Sequence, residues 1–331
     1  MNILITNDDG YNSEGLISLY QSFGKDENNI LDRLIVVAPD RERSVSGHSI
    51  TYQIPVRIKE IYKDGKMEIY SCTGSPADCV IIARGYLENK IDLIISGINR
   101  GANMGMDLTV SGTFSAVTEG FIYGIPGIAV SLFQYDDPDY TFASIFIYDF
   151  VSRYRNFIEK FKNLLLNINI PPFVNLKKDM PPLVTYQSQF RHVAYLESRH
   201  DPRQNLYFWI YWKRHKFEPQ KDFKQKILEY FNNNIEISDV EAIYNNCISI
   251  TPILLDFNIV RNKYKFVQID FEDFYKEVKN VIQDLSMKSY ELTFSKINYF
   301  SKIDSPDVKS GDIDIRAEKN DSFSVIIEKD K

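Results

Sequence analysis

Residues 3–10 read ILITNDDG: a short β-forming run that ends on two adjacent carboxylates, Asp8 and Asp9, and a glycine. Successive side chains on a strand point to opposite faces, so the two aspartates converge only if the strand stops there and the chain turns. Gly10 permits that turn. Two carboxylates brought to about 5 Å repel by roughly 3 kcal/mol at an effective dielectric near 20. A positive charge is therefore expected between them. Downstream, Leu16, Leu19, Tyr20 and Phe23 recur at helical spacing, and LIVVA (34–38) reads as a second buried strand. Strand, helix, strand is the unit of a parallel sheet with right-handed crossovers.

The pattern continues outward from this unit. Residues 54–71 read as a hairpin, Ser75 or Asp78 opens a helix to about Leu87, and DLIIS (92–96) is a third buried strand. The glycine-rich segment GINRGANMGMDLTVSGT (97–113) leads into a helix from about Ser111 to Tyr123, and GIAVSL (127–132) closes the series. This alternation predicts an α/β fold, a mainly parallel, Rossmann-like sheet with helices on both faces, plus a C-terminal extension containing a β-hairpin. An amphipathic segment (141–163) and LLNINI (165–170) precede proline pairs at 171–172 and 181–182. HVAYLES (192–198) and NLYFWIYW (205–212) read as a projecting hairpin turning at Asp201-Pro202, and CISITPI (247–253) as another strand. Further on come a helical stretch (271–286) and a terminal hairpin of 312–318 with 323–329.

Apolar residues make up 44% of the 331 and charged residues 25%, the balance of a globular protein. A net charge of -6 argues against a surface for duplex nucleic acid. No apolar run reaches bilayer length and no secretory signal opens the chain, so a cytoplasmic address without a membrane partner is expected. Cys72, Cys79 and Cys247 lack the spacing of a zinc ribbon and read as reduced thiols.

In an open α/β sheet, ligands bind beyond the carboxyl ends of the strands. The loops expected there offer Asp8, Asp9, Ser44 and Asn99. These are hard oxygen donors, suited to one divalent ion such as magnesium, manganese or calcium. The other reading is that the aspartates only cap the following helix. Ser111, Gly112 and Thr113 open a helix whose free N–H groups, with two hydroxyls, form a phosphate site; Ser111 as an ordinary N-cap is the alternative. Neither GxxxxGK[ST] nor GxGxxG follows the first strand, and no GxSxG elbow occurs, which argues against an NTPase, a dinucleotide enzyme and a serine hydrolase. The four histidines, 48, 192, 200 and 215, show no metal spacing, although His48 lies near the expected site. Arg41 and Arg43 are phosphate contacts or solvated loop residues, and Trp209, Tyr211 and Trp212 read as packing or subunit contacts.

Taken in order, ILITNDDG (3–10), VVAPDRERSVSGHSIT (36–51), TGSPADCV (73–80), DLIISGINRGANMGMDLTVSGTFSAVTEG (92–120), LNINIP (166–171), DPRQNLYFWI (201–210) and ISITPILLDF (248–257) resemble the SurE family of metal-dependent nucleotidases and acid phosphatases. The resemblance implies metal ligation by Asp8, Asp9, Ser44 and Asn99, the set already read from the residues. It also implies substrate contacts from Asn7, Asn103, Ser111, Gly112 and Thr113, and hydrolysis of a nucleoside 5′-monophosphate, or a 3′-monophosphate, to nucleoside and phosphate. Asp8 is the candidate general acid or base, with Asp9 beside it as a catalytic carboxylate. Residues 1–257 then form the family domain, with a core of 1–132 and the 192–212 hairpin, and 258–331 an extension of unknown role. A homodimer or homotetramer built through exchanged C-terminal elements is implied too. Where the family commonly has tyrosine before SGT, this chain has Val110. Two rival readings remain: a nucleotide- and metal-binding sensor or scaffold without turnover, and an aspartyl-phosphate phosphatase, which Gly10 disfavours.

Overall fold

The computed structural model describes residues 1–87, 90–161, 164–177, 180–213, 237–253, 255, 313–317 and 323–327. Its first strand, β1 (Asn2–Thr6), alternates its side chains between two packed layers. Ile3 and Ile5 join the buried cluster of Leu16, Leu19 and Phe23 from α1 (Glu14–Gly24) and Phe142, Phe146 and Phe150 from α4 (Thr141–Arg153). Leu4 faces the other way, into the cluster of Cys79 and Val80 from α2 (Pro76–Ile82) and Ala116 and Val117 from α3 (Gly112–Ile122). Each of these large apolar side chains contributes roughly 1.5–3 kcal/mol when fully buried. Two apolar faces per strand explain why the central strands are continuous hydrophobic runs.

The remaining strands are β2 (Arg33–Pro39), β3 (Ile58–Asp64), β4 (Met67–Cys72), β5 (Leu93–Arg100), β6 (Gly127–Leu132), β7 (Leu165–Ile170), β8 (Leu183–Val184), β9 (Val193–His200), β10 (Leu206–Lys213) and β11 (Ser249–Pro252). Two further helices are α5 (Arg155–Lys160) and α6 (Asp239–Tyr244). Nine strands form one sheet in the order β3-β4-β2-β1-β5-β6-β7-β11-β8. All its pairings are parallel except β3 with β4 and β11 with β7. The expected hairpin at 54–71 is β3–β4. The expectation that GIAVSL closes the series is corrected: β7 adds in parallel to β6, and β11 and β8 extend the same sheet beyond it.

Among the described residues β9 and β10 pair only with each other, antiparallel, as the hairpin that the sequence predicts. Ile313–Ala317 (β12) and Phe323–Ile327 (β13) form a second antiparallel pair. The helical stretch expected at 271–286 and the boundary expected at 257/258 lie outside the described residues. Among the described residues no helix is long and apolar enough to cross a membrane.

From β1 the chain proceeds to β2 on one side, while β5 lies on the other. The strand order reverses at this point, so the loops after β1 and β5 diverge and leave a crevice at their carboxyl ends. In β5, Ser96 pairs with Ala129 and Asn99 with Ser131, so 96 to 99 on one strand spans only 129 to 131 on the other. The extra residue is a bulge, which re-aims the side chains that follow it toward the crevice edge.

Candidate active site

Asp8 and Asp9 leave β1 on either side of this crevice. The turn that carries them is held from inside: Asn7 Nδ2 donates to the Gly10 carbonyl at 3.0 Å and to Ser13 Oγ at 2.7 Å, and Gly10 adopts φ +106°. The Asn7 amide, fully buried, thus shapes the turn that presents the aspartates. Alternation carried past Thr6 sends Asp8 to the α3 face, where Thr113 Oγ1 donates to Asp8 Oδ1 at 2.6 Å. Asp9 turns toward the end of β5 and accepts the backbone N–H of Arg100.

Burial raises the Asp8 carboxyl from 3.8 to about 6, partly opposed by the Thr113 hydrogen bond and reinforced by Glu42. Burial, and then the Asp8 charge, raise Asp9 to about 7, against the pull of Arg100. Among the described residues neither aspartate has a lysine or arginine ion pair; the Arg100 guanidinium is held by the Tyr135 carbonyl. Two adjoining carboxylates with no paired cation fit a bound divalent ion. No cluster of three or more His, Cys, Asp or Glu side chains suited to a metal occurs among the described residues, so any further donors would be neutral oxygens.

The neutral donors read from the sequence are placed unevenly. Asn99 is half-buried at the bulged end of β5, and its Nδ2 donates to the Gly101 carbonyl at 2.7 Å, which leaves Oδ1 outside that bond. Ser44 is exposed in the loop after β2 and donates to Glu42 Oε1 at 2.6 Å. That loop does reach the site, because the Arg43 N–H donates to the Asp8 carbonyl at 2.7 Å. The Arg43 guanidinium braces the loop on the Thr73 carbonyl at 2.6 Å.

At the start of α3, Ser111 is the N-cap, its hydroxyl accepting the Phe114 N–H at 3.1 Å. Gly112 makes the closest approach: a Cβ there would stand 2.7 Å from both Cβ and Oδ2 of Asp8 and 2.9 Å from Ser46 Oγ. Asn103 is anchored rather than free. Its Nδ2 donates to Ser131 Oγ at 3.0 Å, its N–H donates to Asn169 Oδ1 at 2.9 Å, and its carbonyl accepts from Asn167 and Asn169, each at 2.9 Å. Val110 is partly exposed beside the helix start, its carbonyl accepting the Gly47 N–H at 3.0 Å.

Two contributors escaped the reading of the sequence. Glu119, buried on α3, holds His48 Nε2 at 2.7 Å and ties the Ser44 loop to the helix. Glu119 lies two turns past the SGT segment, and no local signal pairs it with a histidine 71 residues away. Ser46 Oγ is buried with no hydrogen-bond partner among the described residues, and nothing in the string RSVSGHS separates it from its neighbours.

A family model described as "Survival protein SurE" matches residues 3–193, from β1 through the start of the β9–β10 hairpin. The chain belongs to the SurE family. Among its curated relatives, a protein named "5'-nucleotidase SurE" from Syntrophus aciditrophicus (strain SB) is 38% identical over 259 residues, 77% of this chain and 89% of that one. A protein of the same name from Pseudothermotoga lettingae is 41% identical over 218 residues, covering 64% and 78% of the two chains. Among solved structures, that titled "Crystal Structure of Sure Protein from Aquifex aeolicus" aligns with a TM-score of 0.58 at 32% identity, over 78% of this chain and 95% of that one. The Asp8–Asp9 turn, the Ser44 loop, the β5 bulge and the start of α3 all fall inside the stretch matched by the SurE model.

Proposed function

We propose that this SurE chain is a divalent-metal-dependent phosphomonoesterase that hydrolyses nucleoside 5′-monophosphates, with 3′-monophosphates as secondary substrates, to nucleoside and phosphate. The observation that carries the reading is the Asp8–Asp9 pair, both carboxyls raised and neither ion-paired among the described residues, set against the N-terminus of an eleven-residue helix. The relatives' name, 5′-nucleotidase, supports the substrate class. Asp8, Asp9, Ser44 and Asn99 would hold one magnesium or manganese ion per subunit, with calcium as a weaker fit to so small a set of donors. Bound there, the ion supplies positive charge against the phosphoryl oxygens.

The chain's own groups do the rest. The N–H groups in the first turn of α3 hold phosphoryl oxygens. Thr113 keeps the Asp8 carboxylate in one orientation through a 2.6 Å hydrogen bond. Asp8 then moves the proton at the reacting oxygen, and Asp9 keeps the opposite side of the crevice anionic. Anchoring of Asn103 by Asn167 and Asn169 fixes the glycine-rich loop that borders the substrate.

Metal-stripped protein should release phosphate from a panel of nucleoside monophosphates only when magnesium or manganese is added back, and Asp9→Asn should not respond to the metal. No release from any substrate under any metal would reject the enzyme reading, and tight nucleotide binding in that case would identify a sensor.

Assembly belongs to the same proposal. The β9–β10 hairpin exposes Leu196, Trp209 and Ile210 at 67%, 60% and 66%, and among the described residues β9 and β10 pair with no strand but each other. So many large apolar groups on one projecting element suit contact with a second copy of the chain. Light scattering should show a homodimer or homotetramer that Trp209→Ser with Ile210→Ser shifts toward monomer; a monomeric wild-type protein at micromolar concentration would reject this.

A further inference from the structure

α3 is buried from Gly112 through Gly120, and within that stretch Glu119 is only 3% exposed. Two side chains hold its carboxylate. His48 Nε2 meets Glu119 Oε2 at 2.7 Å, and the Tyr123 phenol, four residues further along at the end of α3, bonds to the same carboxylate with the Arg84 guanidinium 4.2 Å from the centre of its ring. A carboxylate only accepts, so Nε2 carries the proton of the His48 bond. Apolar side chains in place of a buried charged pair usually serve folding as well or better, so stability alone does not account for Glu119 and His48.

Residues 40–57 join β2 to β3 without helix or strand. A loop of that length is usually a functional one. Ser44 stands in it between two anchors. On one side the Arg43 N–H donates to the Asp8 carbonyl at 2.7 Å; on the other the Gly47 N–H donates to the Val110 carbonyl at 3.0 Å and the His48 ring bonds to Glu119. Glu119 is seven residues beyond Gly112, about 10 Å along the helix. The bond thus draws the imidazole along the flank of α3 and away from its start, and His48 acts on the site through the loop.

We propose that His48 is a positioning residue: by bonding to Glu119 it clamps the loop across α3 and holds Ser44 beside the Asp8 turn, where a divalent ion would need it. A clamped loop has less freedom to lose when the ion binds, so releasing the clamp weakens the metal. The inference rests on the metal-dependent reading of the site and adds to it the pair that fixes one of the proposed ligands.

The test is calorimetric titration of manganese into full-length metal-free wild type and three variants, with the thermal unfolding of each recorded without metal. His48→Asn is one methylene too short to reach Glu119, whereas the carboxamide nitrogen of His48→Gln can take the place of Nε2. Tyr123→Phe removes the other bond to Glu119 and leaves the loop tied. Manganese affinity should fall about tenfold in His48→Asn, whatever its melting temperature, and stay near the wild-type value in His48→Gln and Tyr123→Phe. Phosphate release by His48→Asn at saturating manganese should stay near that of wild type. Equal manganese affinity in wild type and His48→Asn overturns the proposal, as does a failure of His48→Gln to keep it. An equal loss in Tyr123→Phe also overturns it, by tracing the effect to the burial of Glu119 rather than to the loop. So does slower turnover at saturating manganese with affinity intact, which would make His48 a catalytic residue. If wild type binds no manganese, this proposal and the metal-dependent reading fall together; if wild type binds manganese and releases phosphate while His48→Asn matches it in affinity, only the clamp falls.

Discussion

Asp8→Asn should lower metal-dependent phosphate release by roughly 10³-fold or more, the combined loss of the proposed metal ligand and the proposed proton-transfer group. The same substitution should stabilise the metal-free protein. The carboxamide that replaces the carboxylate can keep the Thr113 hydrogen bond through its carbonyl oxygen, while the buried charge and its repulsion of Asp9 disappear. Opposite signs for activity and stability distinguish this from a variant that merely folds badly.

The pH dependence follows from the direction of the shifts. Both carboxyls ionise at 3.8 in the unfolded chain but at about 6 and about 7 in the folded metal-free protein. The folded state thus retains protons that the unfolded state has lost. Stability is whole below about pH 4, falls as pH rises to about 7, and is level above that. Asp239, also raised by burial, contributes in the same direction, so the difference between wild type and Asp8→Asn isolates Asp8 and its repulsion of Asp9. Denaturant titrations from about pH 4 to about pH 8 in chelator should show this fall, and saturating manganese should remove it. Metal-free wild type that gained stability over this range, relative to Asp8→Asn, would refute the account of an uncompensated pair.

Gly112→Ala should have the second-largest effect. In most helices the exchange helps, by about 1 kcal/mol. Here the new methyl would meet Asp8 and Ser46 at 2.7–2.9 Å, so either the carboxylate or the helix start must move. A displacement near 1 Å at the reacting groups corresponds to about a 10²-fold loss of kcat/KM. Stability should fall by roughly 1–3 kcal/mol, as for an overpacked core. Gly85→Ala is a matched control, since a Cβ at Gly85 would meet nothing within 4 Å. Gly112→Ala retaining full activity would show that the approach of α3 to Asp8 has no catalytic importance.

Much of this architecture is local in origin. GIAVSL is a strand over the very residues that its apolar run marks, because a strand covered on both faces needs no polar alternation, and LLNINI is a strand over the residues read for it, its alternate Asn167 and Asn169 buried and bonded to the Asn103 carbonyl. Ser75 with Asp78 forms a capping box that opens α2, and Ser111 caps α3, since both are hydrogen bonds made within three residues. The last strand of the sheet, β8, left no such trace. β8 is two residues long and is held by pairing with Ser249 and Ile250, more than sixty positions away. A pairing of that kind has no period to read.

The site divides in the same way. The sequence by itself determined which groups stand at the crevice: paired carboxylates at the end of a buried strand, neutral oxygens in the neighbouring loops and a capped helix start, because residue type and strand-end position are local properties. Only the tertiary structure decided how each group is used. It turned Thr113 toward Asp8, tied Asn7 into the turn and Asn103 into the sheet edge, and bonded Ser44 to Glu42. Hydrogen-bond partners at these positions come from segments as much as 105 residues apart, and which donor meets which acceptor is settled when β1, the Ser44 loop and α3 are packed together.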